Sequence, residues 1–250
     1  MRRAAVLALL VLGACSAPDY TPVRDWARVA SIAVDDPGGV AVVSRGGAPT
    51  ASRDGVPDPS RAGATAPSRA GASNVSRDGA STESRDGALA MQQALSTYLA
   101  ALARMADDGV LPYLEDPFVD LAARAAAGDA AGGAAVATIG RTLRLASRGN
   151  WQAPELRDTI AAFDPAVQAL VAALAGSVAP DAGATGAHAQ ARAAYAAMVR
   201  QVGAGHALLK DRASRITSEE VVQRINAEQD RLTRAAMALP RAVVALPAAP

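Results

Sequence analysis

Two histidines, His188 and His206, and one cysteine, Cys15, are all that this chain of 250 residues offers as soft metal ligands or readily activated nucleophiles. A zinc centre needs three or four converging ligands. The histidines stand far apart, with no cysteine and no paired carboxylates spaced around them, so no zinc set is visible. His206 is the more suggestive of the two. In VGAGHALL it falls on one helical stripe with Tyr195, Val202 and Leu209, and Gly203 and Gly205 beside it permit close backbone approach. A histidine so placed is expected to be buried and satisfied by one hydrogen bond. A catalytic or ligand-sensing role would need a carboxylate or nucleophile partner inside a cleft, and the sequence points to none.

The segment LEDPFVD gathers Glu115, Asp116 and Asp120. Asp116 and Asp120 are four residues apart and would share a face if both lay in a helix, where their oxygens suit calcium or magnesium. Acids at a helix start are also expected without any metal, because they complement the helix dipole. Serine nucleophile elbows and phosphate-cradling glycine loops are missing from the helical region. The sequence thus assigns no catalytic residue, no metal ligand and no cofactor.

Cys15 has a clearer use. The leader MRRAAVLALLVLGACSAPDY places two arginines after Met1, then an apolar run, then small residues up to the cysteine. That is the layout of a secretory signal, and the run is too short for a bilayer span of about twenty residues. The four residues Leu12, Gly13, Ala14 and Cys15 resemble the lipobox of bacterial lipoproteins. The resemblance implies that residues 1–14 are a signal peptide removed just before Cys15, whose thiol carries a diacylglycerol and whose new amino group is acylated too. A lone thiol in an exported protein forms no internal disulfide, which agrees with lipidation as its use. Each buried methylene contributes about 0.8 kcal/mol, so two or three acyl chains hold where one lets go. Ser16, rather than aspartate, follows the acylated position. By the same resemblance this implies the periplasmic face of the outer membrane. The implied partners are the membrane, through acyl chains on Cys15, and another envelope protein. No further stretch is expected to cross a bilayer. The net charge of +1 offers no general attraction to polyanions, which argues against a nucleic-acid partner.

The elements that follow begin with a repeat. Ser-Arg pairs recur every eight residues at Ser44, Ser52, Ser60, Ser68, Ser76 and Ser84, each unit with glycine at its fourth position. The larger apolar side chains within these units before Leu89 are Val56 and Val75, so there is little surface to bury. Ordering costs about 1 to 2 kcal/mol per residue with nothing here to offset it, and residues 44–87 are therefore expected to be disordered. Such a segment acts as a linker. An array of arginines facing an anionic surface is the other use, although Asp54, Asp78 and Asp86 largely cancel three of them. Upstream, VRDWARVASIAV is expected to form a short helix, with Trp26, Val29, Ile32 and Ala33 on one side. Trp26 favours docking of that helix onto the later domain, which makes the repeat an insertion.

From Leu89 helical periodicity takes over. Met91, Leu95, Tyr98, Leu99, Leu102 and Met105 form a first stripe, closed by Gly109 and Pro112. A second helix from near Pro117 carries Phe118, Leu121, Ala125, Val136, Ile139 and Leu143. Gly128, Gly132 and Gly133 interrupt it, so two helices or one bent helix both fit. A third carries Leu156, Ile160, Phe163, Val167, Leu170, Val171 and Leu174, with a kink or restart expected at Asp164-Pro165. After a loop at Ala179 to Gly186, a fourth carries Tyr195, Met198, Val199, Val202, His206 and Leu209. A fifth starts at TSEE, where Thr217 and Glu220 have capping-box spacing, and carries Val221, Val222, Ile225, Leu232 and Leu239. With 50% apolar but only 3% aromatic residues, the composition favours closely packed helices over a sheet.

The expectation is an all-α protein, an up-and-down bundle of about five helices with a disordered octapeptide-repeat insertion or linker. Its parts are the signal peptide 1–14, an anchor and tether 15–25, a short helix 26–43, the repeats 44–87, the bundle 88–240 and a loose tail 241–250. Functionally it reads as a lipid-anchored envelope protein with a binding or scaffolding role. The alternatives are an envelope-acting enzyme using His206 and a purely structural spacer lipoprotein.

Overall fold

The computed structural model describes residues 19–35, 72–107, 110–148 and 156–239. Cys15 and its leader, residues 36–71 and the tail lie outside the described residues, so the expectations placed on them are untouched. Among the described residues every regular element is helical: α1 Thr21–Asp35, α2 Ala72–Ala106, α3 Val119–Gly128, α4 Ala130–Arg148, α5 Leu156–Val178, α6 Ala187–Asp211 and α7 Glu219–Met237, with a 3-10 turn at Ala213–Arg215 before α7. The all-α class follows from the stripes. The described helices number seven against an expected five because α1 belongs to the body and the glycine-rich second pattern divides.

Helix α1 packs along α2 and also touches α6 and α7. It starts at Thr21, ahead of the expected 26, and the Asp19 carboxylate accepts a hydrogen bond from the Thr21 amide at 2.9 Å. Its buried face is Val23, Trp26, Ala27, Ala30, Ala33 and Val34. Ile32, expected on that face, is 71% exposed. The rotation is set by Trp26, which lies over Gly205 of α6, where an added Cβ would meet the indole at 2.5 Å. Small Ala27 and Ala30 then face inward and let the helices close up. At the far end the Val34 carbonyl accepts from the Gln92 amide at 2.6 Å and the Tyr195 hydroxyl at 2.9 Å. Ser31 donates to the Ser96 carbonyl at 2.9 Å, and Arg24 bonds Asp107 at 3.0 Å. These pairings run in opposite sense along the two helices, so α1 is antiparallel to α2.

Helix α2 corrects the expected boundary at residue 88, for it begins at Ala72 and takes in residues 72–87 of the repeat. Once nucleated by the Leu89–Ala106 stripe, a helix grows by one hydrogen bond per residue without a new nucleation cost. Gly87 adds a tertiary reason. It is buried against α3, where an added Cβ would stand 2.9 Å from the Gly128 Cα. The fourth-position glycine of the last octad is thus a helix-helix contact, rather than a source of disorder.

The second pattern resolves into α3 and α4, broken at Asp129, whose backbone is extended (φ −152°, ψ 114°). Its carboxylate accepts from the Gly132 amide at 2.6 Å and so starts α4 in the manner of an N-cap. α3 itself begins at Val119, and Pro117 sits in the turn before it. Helix α5 runs through Pro165 as one helix, so of the kink or restart expected there the restart does not occur. It packs on α2, α4 and α6. By length and composition α5 is also apolar enough to cross a membrane, contrary to expectation. Leu156, Ile160, Phe163, Val167, Leu170, Val171 and Leu174 are buried in the core, as in the interior helix of a globular protein. At its C-terminus the Arg192 guanidinium donates to the Val178 and Ala179 carbonyls at 3.0 and 2.7 Å, satisfying two carbonyls that the last turn leaves free. The capping box expected at Thr217 is replaced by Ser218 as N-cap, with no side-chain capping bond.

Candidate functional site

The stripe of α2 brings Tyr98 to the middle of the core, α5 brings Asp164, and α6 brings His206. The Tyr98 hydroxyl lies 2.7 Å from His206 Nε2, and His206 Nδ1 lies 2.9 Å from Asp164 Oδ1. A neutral imidazole fits this chain with Nδ1–H donating to the carboxylate and Nε2 accepting from the tyrosine hydroxyl. The Gln168 amide then donates both to Asp164 Oδ1 at 3.0 Å and to the Gly203 carbonyl at 2.9 Å, tying α5 to α6 a second time. Lys210 Nζ stands 3.9 Å from Asp164 Oδ2 at the rim. Phe163 packs against the Tyr98 ring with centroids 4.8 Å apart.

The electrostatics follow from burial. Tyr98 and His206 have no exposed surface, and the Asp164 side chain retains 10%. Burial pushes the Tyr98 hydroxyl well above the ordinary tyrosine range, and the negative charge of Asp164 adds to the effect. The phenol therefore stays protonated and donates. The hydrogen bond from His206 holds the Asp164 carboxyl below the usual carboxylate range, against burial; the bond from Gln168 and the charge of Lys210 act in the same direction.

An acid, an imidazole and a hydroxyl in this order resemble the relay that activates a nucleophile. Here both imidazole nitrogens are engaged, the hydroxyl is a protonated phenol, and neither Tyr98 nor His206 presents a face to solvent. As it stands, the chain is a closed polar link among three helices. Sequence reasoning placed His206 correctly as buried but expected one hydrogen bond where there are two, and it missed the acid. The available signal was Asp164 itself, an acid standing between Ile160 and Val167 on an otherwise apolar stripe.

The other candidates do not join this cluster. His188 lies near the opposite end of α6, about 27 Å away at 1.5 Å per residue, so the two histidines share no ligand. Asp116 precedes α3 and accepts from the Phe118 amide at 2.9 Å, forming the turn before the helix, while Asp120 lies within α3. Asp116 and Asp120 therefore do not share one helix face. Among the described residues no group of three or more His, Cys, Asp or Glu is placed to hold a metal ion. No protein-family model, curated protein or solved structure matches this chain.

Proposed function

We propose that the protein is a lipid-anchored helical component of the bacterial envelope, tethered through acyl chains on Cys15 at the periplasmic face of the outer membrane, with a binding or scaffolding role. In this reading the body is an up-and-down bundle of about five main helices, and the octapeptide repeats form an insertion between α1 and the rest. The observation that carries the proposal is the lipobox-like Leu12-Gly13-Ala14-Cys15 ending in the sole cysteine of the chain. The sealed Tyr98–His206–Asp164 chain supports a structural rather than catalytic use of the most reactive side chains in the core. The competing reading, an envelope-acting enzyme built on His206, gains the acid it requires in Asp164 but needs the core to open before any substrate could reach the imidazole.

The test is the full chain expressed with its leader in a Gram-negative host supplied with labelled palmitate. The wild type is expected to take up label and to partition with membranes into detergent, and Cys15→Ser to do neither. A Cys15→Ser form that still fractionates with the envelope refutes the anchor.

A further inference from the structure

Helix directions place one end of the body beside the chain's N-terminal side. Arg24 and Arg28 of α1 reach Asp107, just past the end of α2, at 3.0 and 3.5 Å. Phe118 and Asp116, at the start of α3, lie against Gly140 in the second half of α4. His206 and Lys210, near the end of α6, meet Asp164 in the first half of α5, and Gly205 meets Trp26 in the first half of α1. The start of α1, the end of α2, the start of α3, the end of α4, the start of α5 and the end of α6 therefore form one pole.

Large apolar side chains left in water collect at that pole. Val110 is 82% exposed, Leu114 85%, Val119 64% and Leu145 66%. The remaining two exposed large apolar side chains among the described residues, Ile32 and Met237, lie toward the other end of α1 and α7. Chain length then identifies what covers the patch. Three residues lie between Cys15 and Asp19, four Cα steps or a contour of about 14 Å at full extension. An anchor at Cys15 cannot hold Asp19, whose carboxylate meets the Thr21 amide at the start of α1, farther than that from the lipid surface, so the apolar pole is the end brought to the membrane.

We infer that the pole formed by Val110, Leu114, Val119 and Leu145 rests on the bilayer surface, with these side chains inserted among the headgroups. The inference rests on the lipid-anchor reading. A short tether raises the local concentration of the second contact into the range of about millimolar, so a patch too weak to bind membranes alone suffices once the acyl chains are in place. Acids and bases mix at this end, Asp211 and Glu115 with Arg212 and Arg215, so the contact is apolar rather than a basic patch on anionic lipid.

The experiment uses the full lipidated chain, purified from membranes and reconstituted in vesicles of phosphatidylethanolamine and phosphatidylglycerol. With Cys15 acylated, Leu114→Cys or Val110→Cys supplies a single free thiol for an environment-sensitive fluorophore. Ala184→Cys, in the exposed loop between α5 and α6 at the opposite pole, is the control. Expected is flotation with vesicles in every case, with blue-shifted emission and loss of quenching by a soluble quencher at positions 114 and 110 but not at 184. Flotation with equal quenching at both poles overturns the docking and leaves the anchor standing. Failure to float overturns the anchor and the docking together. A blue shift at 114 that grows with protein concentration in the unlipidated Cys15→Ser form, without vesicles, assigns the patch to a second copy of the chain and overturns membrane docking.

Discussion

Replacing Tyr98 by phenylalanine removes one oxygen from the centre of the core and nothing else. The ring and its contact with Phe163 remain, so no appreciable cavity forms. What changes is His206 Nε2, which loses its donor at 2.7 Å in a place with no exposed surface. A buried acceptor left without a partner costs about 1 to 3 kcal/mol. With a urea slope of about 2 kcal/mol/M, a loss of about 2 kcal/mol lowers the unfolding midpoint by about 1 M without changing the slope. The assay is urea unfolding of the Cys15→Ser form at neutral pH, followed by far-ultraviolet circular dichroism. A double-mutant cycle with His206→Leu isolates the pair. In the His206 variant the tyrosine hydroxyl is the orphan, so adding Tyr98→Phe is expected to cost far less than it does alone, with a coupling of about 1 kcal/mol or more. A Tyr98→Phe midpoint equal to the wild type, or strictly additive effects, refutes the sealed hydrogen-bond chain.

Gly205→Ala sets about 1 kcal/mol of gained helix propensity against overpacking of the Trp26 indole, which costs about 1 to 3 kcal/mol. The expected result is a net loss of stability with red-shifted Trp26 emission, measured in a Trp151→Phe background; an unshifted spectrum and higher stability contradict the close packing of α1 on α6. The carboxyl of Asp164, held below its ordinary value of 3.8 with His206, Gln168 and Lys210 facing it, contributes stability that is fully present above that value and is lost as pH falls through the lower folded value. The stability gap between wild type and Asp164→Asn is therefore expected to be widest near neutral pH and to narrow below about pH 3.8. Parallel pH profiles for the two proteins contradict this.

The all-helical class was legible because leucines, methionines and valines recur at spacings of three and four, and those stripes are the ones buried in α2, α5, α6 and α7. The misreadings have a common cause in small residues. Alanine and glycine carry little weight in a hydrophobic stripe, yet they set how near two helices come. Counting Ile32 as core and passing over Ala27 and Ala30 displaced the edge of the buried face of α1, although Trp26 and Ala33 are buried and Val29 packs against the core, and counting the octad glycines only as entropy hid the contact of Gly87 with Gly128. Asp164 escaped for another reason. Pro165 drew attention to a chain break, whereas α5 continues through it and holds the acid toward α6. His206 was legible because its neighbours on α6 are apolar; its partners were not, since they come from α2 and α5, distant in sequence.

A body built so largely from alanine and glycine faces a problem of register. Small side chains present shallow ridges, and shallow ridges discriminate weakly between one axial position of a helix and the next. The polar chain provides the discrimination that the apolar surfaces lack. Sliding α6 along α5 by one turn, about 5.4 Å, separates His206 from Asp164 and Gln168 from the Gly203 carbonyl in a single step, while Tyr98 loses its acceptor on α6. The loss of the Asp164 and Tyr98 bonds to His206 strands buried polar groups, and each such group costs about 1 to 3 kcal/mol. Trp26 over Gly205 and the two donors on the Val34 carbonyl fix α1 by the same logic, through one large ring in one glycine notch and one carbonyl shared by α2 and α6. The side chains that look most like chemistry in this core are thus the ones that make a single alignment of its helices favourable over its neighbours.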